Sequence, residues 1–231
     1  MKLAALLFDV TDTLIELAED VGTTYARIAA NHGVEVPASA LTAGFGQAFS
    51  NAEERVFPGL PSDAIPEAER AWWRARVRET FALAAPKAPF ADFDAFFGEL
   101  FALYRGAGAW RLCTGARAAL ENARRAELRL GVVSNFDYRL PRVLQALEID
   151  GLLETTTHPA SCGFAKPSAA IFEAAAEALE LTPGECAYVG HDPRLDLDGA
   201  RAAGMPLIDI ETAADSRRLS ACLEGLAKLP S

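Results

Sequence analysis

Apolar residues fall along this chain in two rhythms, and the changes of rhythm divide it. Residues 3–8 form a short unbroken apolar run closed by Asp9, the pattern of a strand buried on both faces. After Leu14 the strand-like character stops. Tyr25, Ile28 and Ala29 recur at helical spacing within residues 16–32, and Gly33 closes that segment. Residues 37–55 read as a second helix, 57–66 as a proline-rich loop, 68–84 as a third helix and 90–104 as a fourth. Trp72 and Trp73 sit where they pack between helices. From Gly106 the first rhythm returns. Residues 106–109 read as a flexible joint, 115–127 as an amphipathic helix and 128–133 as a buried strand. Helix, strand, helix and strand then follow at 139–147, 152–157, 168–179 and 186–189. Residues 198–203 read as a helix, 206–210 as a strand and 213–226 as a final helix.

Alternating strands and helices predict a mainly parallel sheet covered on both faces. The fold class is therefore α/β, a Rossmann-like core interrupted by an all-helical insertion. The core comprises residues 1–15 and 106–231, and the insertion 16–105. At 231 residues and 51% hydrophobic, the chain can bury a sizeable core without disulfides. A net charge of −10 argues against a nucleic-acid footprint and against docking on anionic membranes. The basic pairs Arg124 with Arg125 and Arg217 with Arg218 read as solvated helix faces. Cys113, Cys162, Cys186 and Cys222 are widely spaced, which fits reduced thiols in a cytoplasmic protein better than a metal ribbon. The N-terminal apolar run is too short and too early broken for a signal peptide, and no stretch approaches the roughly 20 apolar residues of a membrane span.

Candidate chemistry gathers at the ends of the predicted strands. Asp9 and Asp12 follow the first, Ser134 and Asn135 the second, and His191, Asp192 and Asp196 the strand 186–189; Lys166 opens a helix. Parallel strands present these ends at one edge, where open α/β sheets bind ligands. A carboxylate nucleophile, a hydroxyl, a lysine and further carboxylates suit phosphoryl transfer, with Mg²⁺ held through oxygens.

The segments FDVTDTL, VVSN, AKPSAAIF and VGHDPRLDLDGARAAGM, in that order, resemble the four motifs of the haloacid dehalogenase superfamily. The insertion and the VVSNFD stretch most resemble its haloacid dehalogenase-like hydrolase domain-containing protein 3 branch. The resemblance implies that Asp9 is nucleophile and metal ligand and that Ser134, with Asn135 beside it, binds phosphate. It implies that Lys166 neutralises the Asp9–phosphate pair, and that the insertion is a mobile helical cap. Two positions depart from the pattern. Thr11 stands where the phosphatases carry an acid/base Asp, and a hydroxyl cannot replace a carboxylic acid near neutrality. Thr11 would still lend its carbonyl to Mg²⁺, and Asp12 is the candidate displaced acid. His191 stands where an Asp is usual, so Asp192 is the expected metal ligand and Asp196 a partner behind it, holding Lys166. His191 is expected to shape the loop, with ligation of a softer metal as the alternative. His32 and His158 read as structural.

The resemblance therefore implies a Mg²⁺-dependent phosphatase-like hydrolase of small phosphorylated metabolites, slow for want of an acid, and monomeric or homodimeric. The alternatives are a non-catalytic phospho-ligand binder and a 2-haloacid dehalogenase. Against the dehalogenase stands the charge of Asp192 and Asp196, which would be surplus without a cation.

Overall fold

The computed structural model describes residues 3–87 and 90–210; the expected helix at 213–226, with Arg217, Arg218 and Cys222, lies outside them. The chain divides into two compact units, one holding residues up to Glu16 and from Arg111 onward, the other Leu17–Trp110.

In the first unit, β1 (Ala5–Phe8) is wholly buried. After the second unit come β3 (Trp110–Leu112), α5 (Ala116–Arg125), β4 (Arg129–Val133), α6 (Leu140–Ala146) and β5 (Thr155–Thr157). The short α7 (Pro159–Cys162), α8 (Ala169–Ala178), β6 (Cys186–Gly190), α9 (Gly199–Ala202) and β7 (Leu207–Asp209) follow. Five strands form one sheet in the order β5-β4-β1-β6-β7, every described pair parallel. Leu6, Leu7 and Phe8 are all buried although successive side chains point to opposite faces, so the sheet is covered on both. Leu7, Val133 and Tyr188 share one core cluster with Ile171 and Phe172 of α8. β1 lies at the centre because its apolar run, unrelieved by polar alternation, suits only a strand covered on both faces.

The second unit holds α1 (Val21–Asn31), α2 (Ala38–Ser50), α3 (Ile65–Ala84) and α4 (Phe93–Leu103). Asp20 caps α1 by accepting the Gly22 and Thr23 N–H groups, and Asp92 caps α4 in the same way. Tyr25 of α1 stacks on Phe81 of α3 at 6.3 Å and meets Phe45 of α2 edge-on at 5.9 Å. Trp72 and Trp73 pack against Phe49 of α2, as their spacing predicts, with the Arg55 guanidinium over both rings.

Strand character does not stop at Leu14. Ile15–Leu17 forms β2, which pairs with β3 in a two-stranded sheet. Within the expected joint at 106–109, Ala107–Ala109 makes a 3₁₀ turn that leads directly into β3. Among the described residues no helix is long and apolar enough to cross a membrane.

Candidate active site

From β1 the core runs outward through β4 to β5, then crosses back to β6 on the other side of β1. The order reverses between β1 and β6, and the crevice beyond the carboxyl ends of those two strands is where such sheets bind ligands. Asp9 follows β1, and its N–H extends the ladder to Val189 O at 2.8 Å. β6 runs into His191 and Asp192 at the same edge.

Asp9 is buried, and its two carboxylate oxygens have different surroundings. Oδ1 accepts from Lys166 Nζ at 2.6 Å; Oδ2 accepts from Thr13 Oγ1 at 3.1 Å and lies 3.8 Å from His191 Nδ1. Lys166 Nζ donates also to Asp196 Oδ1 at 2.6 Å and to the Tyr188 hydroxyl at 3.2 Å. An ammonium has three N–H donors, and here all three are committed within the protein. Lys166 thus acts on a ligand through its charge and its grip on Asp9. Burial by itself would lower its pKa, but Asp9 and Asp196 win and hold it above the usual 10.5.

Asp196 is equally saturated. Oδ1 accepts from Lys166 and, at 2.9 Å, from Tyr188 Oη; Oδ2 accepts the N–H groups of His191 and Asp192, each at 3.0 Å. Burial pushes its pKa up, and the Lys166 ammonium with these hydrogen bonds overcomes that and holds it below 3.8. Gly190 makes the approach possible, because a Cβ there would lie 2.7 Å from Asp196 Oδ2.

Asp192 is turned to another task. It caps the π-helical turn Pro193–Asp198, Oδ1 accepting from Arg194 and Leu195 N–H at 2.9 and 2.7 Å. The group whose ligand atoms all lie within 4.8 Å of one another is Asp9, His191 and Asp196, without Asp192. Asn135 also faces away from an expected ligand. Its amide brackets the Lys166 backbone, accepting the N–H at 2.7 Å and donating to the carbonyl at 2.9 Å. Ser134 is buried, and its Oγ accepts from Phe136 N–H at 3.2 Å, which leaves its O–H to donate. Thr11 bridges to Ile15 through the backbone. Asp12 stands at φ +61°, a conformation that favours glycine, and although the residue is largely exposed, partial desolvation of its carboxyl, with the Asp9 and Glu16 charges nearby, raises its pKa.

These donors do not fit Mg²⁺. A hard octahedral cation wants oxygens. Of the side chains in the Asp9, His191 and Asp196 group, Asp196 already holds two donors on each oxygen, which leaves Asp9 Oδ2 and an imidazole nitrogen.

A haloacid dehalogenase-like hydrolase family model matches residues 3–204, most of the chain. This chain is a haloacid dehalogenase-like hydrolase. It is 33% identical over 216 residues to the cattle (Bos taurus) haloacid dehalogenase-like hydrolase domain-containing protein 3, covering 89% of this chain and 80% of that one. The Drosophila melanogaster rhythmically expressed gene 2 protein is 31% identical, covering 85% and 78%. A dehalogenase crystal structure with an intermediate complex superposes with TM-score 0.63 at 22% identity, covering 91% of this chain and 85% of that one, a likeness of fold. Within this hydrolase, Tyr188 and Thr13 touch the central charges although neither was a candidate from sequence. Tyr188 is hidden as one more large residue of a buried strand. The Asp192 cap was legible, since Asp directly before Pro is a helix-start signature. His32 and His158 lie outside this cluster: His32 meets Glu99 at 2.9 Å, and His158 caps α7. Cys113, Cys162 and Cys186 are free, and burial pushes the Cys113 thiol up to about 12 and that of Cys186 to about 11.

Proposed function

We propose that this hydrolase is a phosphatase acting on a small phosphorylated metabolite in the cytoplasm, through an aspartyl-phosphate on Asp9. One observation carries the reading: a buried carboxylate has one oxygen clamped by Lys166 and the other turned toward His191 and Thr13 at the switch point of the sheet. One oxygen of the Asp9 carboxylate attacks phosphorus in line with the leaving oxygen, whose bond to phosphorus breaks. The Ser134 O–H donates to an equatorial oxygen of the transferring group, and the Lys166 charge offsets the negative charge gathered on Asp9 and phosphorus. The leaving alkoxide needs a proton, and water must lose one to break the intermediate. Thr11 supplies neither, which leaves Asp12, whose raised pKa suits an acid.

Rapid-quench kinetics on an aryl phosphate test this. Wild type should give a burst and then slow turnover, because an aryl oxide leaves unprotonated while the intermediate waits for activated water. Asp9→Asn should lose both phases. With Asp12 as the acid, Asp12→Asn should slow turnover and Thr11→Asp should gain little; a gain of about 10²–10⁴-fold in Thr11→Asp would show instead that no acid/base serves the wild type. A burst that survives Asp9→Asn refutes the reading.

Carbon–halogen hydrolysis on the same nucleophile is the second reading, and one observation favours it. The charge that argued against it is partly met within the protein: Asp196 is paired with Lys166, which also holds Asp9, and Asp192 accepts two backbone N–H groups as a cap. Halide release from a 2-haloacid, without phosphate release from an aryl phosphate, would select it.

A further inference from the structure

Asp9 and His191 face each other across the crevice between β1 and β6, and the misfit to Mg²⁺ has a constructive side. We propose that Asp9 Oδ2 and the His191 imidazole form the seat of an imidazole-accepting divalent cation, of the zinc, cobalt or nickel kind, in preference to Mg²⁺. The inference deepens the phosphatase reading and rests on it for the cation's use, though not for its binding.

Three observations carry it. The first is the donor type: imidazole nitrogen suits zinc, nickel and iron, whereas Mg²⁺ sheds water reluctantly and then only for oxygens. The second is spacing. His191 Nδ1 and Asp9 Oδ2 are 3.8 Å apart. Two ligands on a tetrahedral ion with bonds of about 2.0 Å stand about 3.3 Å apart. Adjacent ligands on octahedral Mg²⁺ stand about 2.9 Å apart. The tetrahedral ion therefore asks for roughly half the closure. The third is the commitment of Asp196, the other carboxylate of the group. Asp196 has donors on both oxygens, and Lys166 and Tyr188 are locked to it. Thr13 Oγ1 lies 3.1 Å from Asp9 Oδ2 and 3.2 Å from His191 Nδ1, bridging the two expected ligands where the cation would enter. Its hydroxyl can turn its hydrogen elsewhere once a cation arrives. Two protein ligands leave open coordination positions, as a catalytic site requires.

The test uses the full chain, stripped with a chelator and titrated without substrate. Co²⁺ should bind one equivalent and give visible d–d absorption, and a paramagnetically shifted imidazole N–H resonance in the wild type should show histidine as a ligand. Calorimetry should find Zn²⁺ and Co²⁺ tighter than Mg²⁺ by on the order of 10²-fold. His191→Ala should lose Co²⁺ binding, and His191→Asp should shift the preference toward Mg²⁺ by a similar factor. Mg²⁺ binding as tight as Co²⁺, no binding of either, Co²⁺ binding undiminished in His191→Ala, or a sulfur-to-cobalt charge-transfer band would each overturn the proposal. The wild-type resonance keeps the test decisive should a variant misfold. Failure of the seat leaves the Asp9-dependent burst intact, and failure of the phosphatase reading leaves the cobalt spectrum intact.

Discussion

Asp196 shows how little a residue's type says about its work. It touches no open space, yet it fixes the ammonium that grips Asp9 and ties down the backbone that carries His191. Its low pKa and part of the rise of Lys166, to which Asp9 contributes more, are one interaction seen from two sides, and both signs follow. The Asp196 contribution to stability is present above 3.8 and is lost as pH falls through its lowered folded value. The Lys166 contribution is present below 10.5 and is lost as pH rises through its raised folded value. Asp196→Asn removes one partner of a buried pair and should cost about 3–5 kcal/mol near neutrality. Thermal melts across pH should show the gap between wild type and variant flat in the middle and shrinking at both extremes. A gap unchanged into strong acid would mean that the pair does not hold Lys166.

Elements differ in what their sequences disclose. β1, β4 and β6 were legible because a strand covered on both faces must be apolar throughout, and that leaves a plain signal. β2 and β3 were not: at three residues each they show too little pattern, and pairing with each other is what makes them strands. The site was legible to the same degree. Asp9 follows the end of β1 and Lys166 stands shortly before α8, where a charge needs a reason, whereas Asp196 lies within the turn Pro193–Asp198. The turn Pro193–Asp198 decides whether His191 or Asp192 faces the crevice, and that choice depends on hydrogen bonds of the loop backbone. The approach of that turn to β6 gives a prediction for the element. Gly190→Ala places a Cβ 2.7 Å from Asp196 Oδ2 and 2.8 Å from Tyr188 Cε1. Overpacking should cost about 1–3 kcal/mol. Since both neighbours hold Lys166, the burst rate should also fall more than in Gly131→Ala, which crowds Thr155 and Leu7 away from the charges. Equal loss in the two variants would separate Gly190 from the site.

Across the whole molecule, the chain passes between its two units at residues 16–17 and 110–111, and both passages run through the paired strands β2 and β3. The Ala18 N–H donates to Ala109 O and the Cys113 N–H to Leu14 O, each at 2.9 Å. These amides should exchange with solvent far more slowly than free-peptide rates if the ribbon persists in solution. Exchange near those rates, read by mass spectrometry or NMR, would return the passages to the loose joints that glycine-rich sequence suggests. The central place of β1 carries a different consequence, for the order of assembly. Ala5 pairs with Arg129 on one side and with Cys186 on the other, so the strand leading to Asp9 is translated well before either neighbour and is enclosed only once both have followed. Most of the polypeptide must leave the ribosome before the apolar run ahead of Asp9 finds its second neighbour. Such long-range closure slows folding and leaves a sticky strand exposed in the meantime. The nascent chain of this hydrolase should therefore keep the apolar run ahead of Asp9 open to solvent until β6 emerges.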